Sequence, residues 1–126
     1  MIRFRRLLRG RQDQGAAAVE FAVILPVLLL IVFGIIEFGF VFNTQIALTQ
    51  AAREGVRYEA LGTGTAEAEA ESAFIALQGQ TATATLLEGC DNGDRARLEI
   101  SSNYSFFFLP FGDRTLSGEA VMRCGG

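Results

Sequence analysis

Histidine, lysine and tryptophan are all missing from this 126-residue chain. Without imidazole there is no base poised for neutral pH and no typical zinc cluster. Without lysine there is no Schiff-base chemistry and no P-loop. The stretch "GTGT" (62–65) and the scattered glycines form no GxGxxG, and a serine nucleophile would have no base to activate it. Glu67, Glu69 and Glu71 fall at spacing two, which on a helix aims them to different sides, so they read as solvation. "CDNGD" (90–94) lacks the acidic spacing and terminal glutamate of a calcium loop and reads as a turn. The expectation is a protein without catalytic residues, metal or cofactor, and not an enzyme.

Charge is scarce where apolar residues are dense. From Phe21 to Ile36 no side chain is polar, and between Ala16 and Phe42 the only ionisable residues are Glu20 and Glu37. These two lie 17 positions apart, which is about 25 Å along a helix, against a bilayer core of about 30 Å. Both carboxylates can therefore sit near opposite interfaces of a transmembrane helix. Pro26 removes one backbone bond inside the run and frees the carbonyl of Ala22, a gap that membrane helices tolerate. Gly34 and Gly39 are spaced by five, so they make no GxxxG face.

All eleven basic residues are arginine. Arg3, Arg5, Arg6, Arg9 and Arg11 face only Asp13 before Gly15, a local +4, whereas the remainder carries −7. A basic head ahead of an apolar span places the N-terminus in the cytoplasm and the rest outside. Beside such a span the arginines read as a topology signal, and no nucleic-acid partner is expected.

Beyond the span, "NTQIALTQAAREGVRYEAL" continues as helix, with a small-residue stripe of Ala47, Ala51, Gly55 and Tyr58 and a solvated face at Arg53, Glu54 and Arg57. "AEAEAESAFIALQG" (66–79) reads as a short helix with Phe74 and Leu77 inward. The period then changes to two. "TATATLL" (81–87), "RARLEISSNY" (95–104) and "TLSGEAVMRC" (115–124) alternate as half-buried strands, with Ala96, Leu98 and Ile100 on one face of the second, and Leu116, Gly118, Ala120 and Met122 on one face of the third. The fold class is α+β: a long N-terminal transmembrane helix continuing into an extracytoplasmic stem, then a short helix and a three-stranded antiparallel sheet. The organisation divides as 1–15 basic leader, 16–42 membrane helix, 43–62 stem and 63–126 head. Cys90 precedes the second strand and Cys124 ends the third, which makes a disulfide between them geometrically reasonable. Phe106, Phe107, Phe108 and Phe111 in "SFFFLPF" read in two ways, as a strand end capping a small core or as an exposed patch for a partner or a membrane.

Three membrane fates fit the N-terminus. A secretory signal wants a shorter apolar core and a small-residue cleavage site after it. A plain anchor explains orientation but not Glu20. The third fate is carried by a basic leader ending in Gly15, with Ala16 next and a glutamate five residues into the remainder, and this resembles a type IV prepilin processing site. "GAAAVEFAVILPVLLLIVFGIIEFG" followed by "AAREGVRYEA" is similar to the TadE-like subunits of the tight-adherence (Tad/Flp) pilus system. The likeness implies cleavage between Gly15 and Ala16 by a prepilin peptidase. It also implies an assembly or register role for Glu20 and Phe21, and partners among other pilin or pseudopilin subunits, the pilus machinery and the lipid bilayer. Glu20 would meet the released Ala16 amine; the alternative is an interfacial glutamate that only marks the membrane edge. The implied location is the cytoplasmic (inner) membrane, with passage to the cell surface on assembly. Two alternatives stand beside a pilin used in adhesion: an uncleaved single-pass envelope protein scaffolding a secretion or pilus apparatus, and a surface-binding module using the Phe-rich tip.

Overall fold

The computed structural model describes the backbone of residues 2–91 and 93–125, with side chains from Asp13 onward. The side chains of the five leader arginines, and Asn92 in the "CDNGD" turn, lie outside the described residues. The element order is α1 (Ile2–Ala60), α2 (Ala66–Ala73), β1 (Ala82–Glu88), β2 (Arg95–Ser105) and β3 (Asp113–Arg123). The chain divides into two bodies, residues 1–36 and 37–126.

The first body is helix alone, with Pro26 accommodated inside it. Its apolar side chains from Val19 to Ile36 are largely exposed. The helix is long and apolar enough to cross a membrane, and none of that stretch is buried. Exposed leucine, isoleucine and phenylalanine in such a run are what a lipid-facing helix requires.

The second body opens with the rest of α1, where the pattern changes from uniformly exposed to one-sided. Glu37, Thr44, Leu48, Ala51, Ala52, Val56 and Ala60 are buried, at the three-, four- and seven-residue spacings of one helix face. That face packs on a meander of order β1-β2-β3, antiparallel throughout. From β2 the inward residues Ala96, Leu98, Ile100, Ser102 and Tyr104 alternate strictly with half-exposed or exposed neighbours. Small residues set the spacing of the layers. A Cβ on Gly118 would lie 2.8 Å from backbone atoms of Leu48 and Thr49, so α1 rests directly on β3 there. A Cβ on Gly55 would come within 2.6 Å of Ala70 Cβ, which marks the α1–α2 approach.

α2 is shorter than the 66–79 helix expected from sequence. Phe74 already has an extended backbone, and the chain leaves the helix there. Phe74 is buried, but Leu77, expected on the inner face, is exposed because no helix carries it inward. Nor are the glutamates of α2 merely solvated. Glu71 Oε1 accepts the backbone N–H of Ala84 at 3.0 Å, and Glu67 Oε1 that of Leu86 at 2.8 Å. The two are one helical turn apart and satisfy outward donors of strand β1.

Cys90 and Cys124 form a disulfide with Cα atoms 5.7 Å apart. Around it, Glu59 Oε1 accepts the Cys90 N–H at 3.1 Å, and Ala60 O accepts the Gly125 N–H at 3.1 Å. The end of α1, the β1–β2 turn and the end of β3 are thereby joined at one corner. The helix, short helix and three-stranded antiparallel sheet match the α+β class read from sequence.

Candidate functional site

Gly15 and Ala16 lie within α1, both exposed, and a Cβ on Gly15 would meet nothing within 4 Å. Glu20 and Phe21 follow on the same helix and are also exposed. The candidate processing and register residues thus share one accessible helical segment in the first body.

The second body holds a site that sequence reasoning missed. Glu37 is fully buried. Its Oε1 accepts the Tyr104 hydroxyl at 2.7 Å, and its Oε2 accepts the N–H of Phe107 at 3.0 Å and of Phe108 at 2.9 Å. Gln78 Nε2 donates to the Tyr104 hydroxyl oxygen at 3.2 Å. One carboxylate therefore clasps the end of β2 and the first turn of the Phe-rich loop. Burying a carboxylate is costly unless its oxygens are occupied, and here donors reach both. Two successive backbone amides converging on an anion form a small nest, and each bond is charge-assisted. Burial, and then the bond to Glu37, push the Tyr104 hydroxyl up to about 12.

The four candidate phenylalanines separate by role. Phe106 is half-buried and packs edge-on against Tyr104, with ring centroids 5.1 Å apart, and against Phe111 at 5.4 Å. Phe107, Phe108 and Phe111 are exposed, Phe107 to 67%. The loop is thus partly a cap on the core and partly an apolar surface. Phe38 and Phe42 on α1, with rings 5.5 Å apart, add exposed aromatic area next to Glu37 in sequence.

From sequence, Glu37 reads only as the far carboxylate of a span. The signal that could have found the clasp is Tyr104, which continues the inward alternation of Ala96, Leu98 and Ile100. A phenol on a buried face needs a hydrogen-bond partner, and a glutamate closing an apolar helical run is a ready one. No group of histidine, cysteine, aspartate and glutamate suited to a metal ion occurs among the described residues.

Against known proteins, the family model described as TadE-like protein matches residues 15–57. That is roughly a third of the chain, from Gly15 through the apolar run and Glu37 to Arg57. No curated protein and no solved structure matches the chain. The match covers the helix and stops before α2 and the sheet; over residues 15–57 the chain is similar to TadE-like proteins.

Proposed function

We propose that the chain is a minor pilin or pseudopilin of a Tad/Flp-type pilus, processed after Gly15 by a prepilin-type peptidase and assembled with other pilin subunits for adhesion. It is inserted in the cytoplasmic membrane with its N-terminus inside and its disulfide-bonded head outside. The observation that carries this reading is where the family match begins: at Gly15, the last residue of the basic leader. Cleavage there makes Ala16 the new N-terminus and gives Glu20 a cation to meet, on its own helix or a neighbour's. A carboxylate at a helix–helix contact needs such pairing, and in a membrane interior it costs about 3 kcal/mol without it. Exposure of Glu20 and Phe21 in the single chain supports a role in contacts between subunits.

Intact-mass measurement on membrane-extracted protein tests the proposal. The expected species begins at Ala16; a chain retaining residues 1–15 overturns it. Gly15→Leu should leave only unprocessed chain. Glu20→Gln should spare insertion while reducing incorporation into pili, and unchanged incorporation would remove the register role.

A second reading, an uncleaved single-pass envelope protein that scaffolds an assembly apparatus, is favoured by one observation. α1 runs unbroken through Gly15 and Ala16, whereas peptide-bond cleavage needs a segment that can leave the helix. The same mass measurement separates the two readings.

A further inference from the structure

We infer that the Phe-rich loop of the head, Phe107 to Phe111, is a membrane-resting foot that inserts into the lipid interface of the bilayer its own helix spans. It rests on the membrane span and holds whether or not the leader is removed.

Where the loop is tied along the chain is the first ground. The N–H groups of Phe107 and Phe108 are held at 3.0 and 2.9 Å by the carboxylate of Glu37. Glu37 directly follows Ile36, the last residue of the apolar run. The loop is therefore tied to the first residue of the second body, 23 positions before Ala60 at the end of α1.

The loop's chemistry is the second ground. Residues 105–112, "SFFFLPFG", carry no charge. Phe107, Phe108 and Phe111 are exposed, as are Phe38 and Phe42 of α1. A soluble head gains nothing from exposing five phenylalanines, but the boundary between headgroups and acyl chains takes up such rings. The clasp supplies the remaining requirement. Desolvating irregular backbone is costly unless its polar groups are bonded, and the first two amides of the exposed turn are bonded to Glu37.

A lipid surface is preferred to a second copy of the chain because the loop is tied to Glu37, the residue next in sequence to a run apolar enough to cross a membrane. It also differs from a distal adhesive tip, since the tie to Glu37 puts the phenylalanines at the near end of the head.

Having no tryptophan, the chain gives a direct test. Phe107→Trp and Phe108→Trp, each in the full-length protein, are reconstituted into phosphatidylcholine–phosphatidylglycerol vesicles with and without bromine-labelled acyl chains. Leu61→Trp is the reference: Leu61 is 62% exposed and follows the last residue of α1. The expected result is blue-shifted emission from both loop positions, losing the larger part of its intensity to brominated lipid and little to aqueous iodide, with the opposite behaviour at Leu61→Trp. Loop emission open to iodide and untouched by brominated lipid overturns the inference. So does emission shielded from both quenchers, which would assign the patch to another protein surface. Having both loop positions guards against one substitution disturbing the turn.

Discussion

Glu37 and Tyr104, 67 positions apart in sequence, meet in a buried hydrogen bond of 2.7 Å in which the phenol donates to the carboxylate. Between them they fix the end of β2 on the helix. Tyr104→Phe removes one donor from a buried carboxylate and should destabilise the head by about 1–3 kcal/mol. Glu37→Ala strands the hydroxyl and two backbone amides and should cost more, about 2–4 kcal/mol. Glu37→Gln keeps the shape and loses the charge, and should fall between wild type and Glu37→Ala. Thermal unfolding of the detergent-solubilised full-length variants gives the ranking; equal melting of Glu37→Ala and wild type would show that the clasp contributes nothing.

The same pair sets an alkaline limit. The Tyr104 hydroxyl is held well above its ordinary value of 10.0, at about 12, by burial and then by Glu37. Since the folded state keeps this proton longer than the unfolded state, the stabilisation is fully present below about pH 10 and is lost as pH rises through about 12. In a Tyr58→Phe background Tyr104 is the sole tyrosine. Tyrosinate absorbance should then appear late, together with unfolding, and absorbance rising near 10 with the fold intact would contradict the clasp.

Glycine-to-alanine changes divide by position. In an open helix such a change favours folding by up to about 1 kcal/mol. At Gly55 the added methyl meets Ala70 Cβ at 2.6 Å and Ala66 O at 2.8 Å, and at Gly118 it meets the backbone of Leu48 and Thr49 at 2.8 Å. Helix backbone cannot give way cheaply, so Gly118→Ala should destabilise by about 1–3 kcal/mol. Gly55→Ala should also destabilise despite the gain in helix propensity. Gly39→Ala, with nothing within 4 Å of its Cβ, should be tolerated. Denaturation midpoints compared across the three decide it.

Reduction tests the corner at the end of α1. The Cys90–Cys124 bridge closes a loop with a sequence separation of 34, for which the loss on reduction is about 2–4 kcal/mol. Reducing agent should lower the melting temperature of the wild-type chain and leave a Cys90→Ser, Cys124→Ser double variant unchanged.

Periodicity made most of the fold legible. Strict alternation in "RARLEISSNY" gave β2 its buried face, whereas the small-residue stripe at Ala51 and Gly55 read only as weak amphipathicity although both are buried. Legibility failed where a partner comes from far along the chain. Leu77 looked inward because helix periodicity was extended past Phe74, which breaks the helix. Glu67 and Glu71 looked like solvent-facing acids because the strand donors they accept lie 19 and 13 residues downstream. Glu37 suffered most, since nothing local distinguishes a carboxylate marking a membrane edge from one holding a loop 70 residues away. In the first body, Gly15, Ala16, Glu20 and Phe21 remain readings of motif, because all four are exposed.

The acids of α2 carry one more consequence. Strand β1 is an outer strand, and an outer strand ordinarily invites pairing with whatever extended segment drifts past. With the Ala84 and Leu86 donors already engaged by Glu71 and Glu67, that invitation is withdrawn on this side. Growth of the sheet past β1 is thereby guarded against by two acids of a neighbouring helix rather than by any residue of the strand itself.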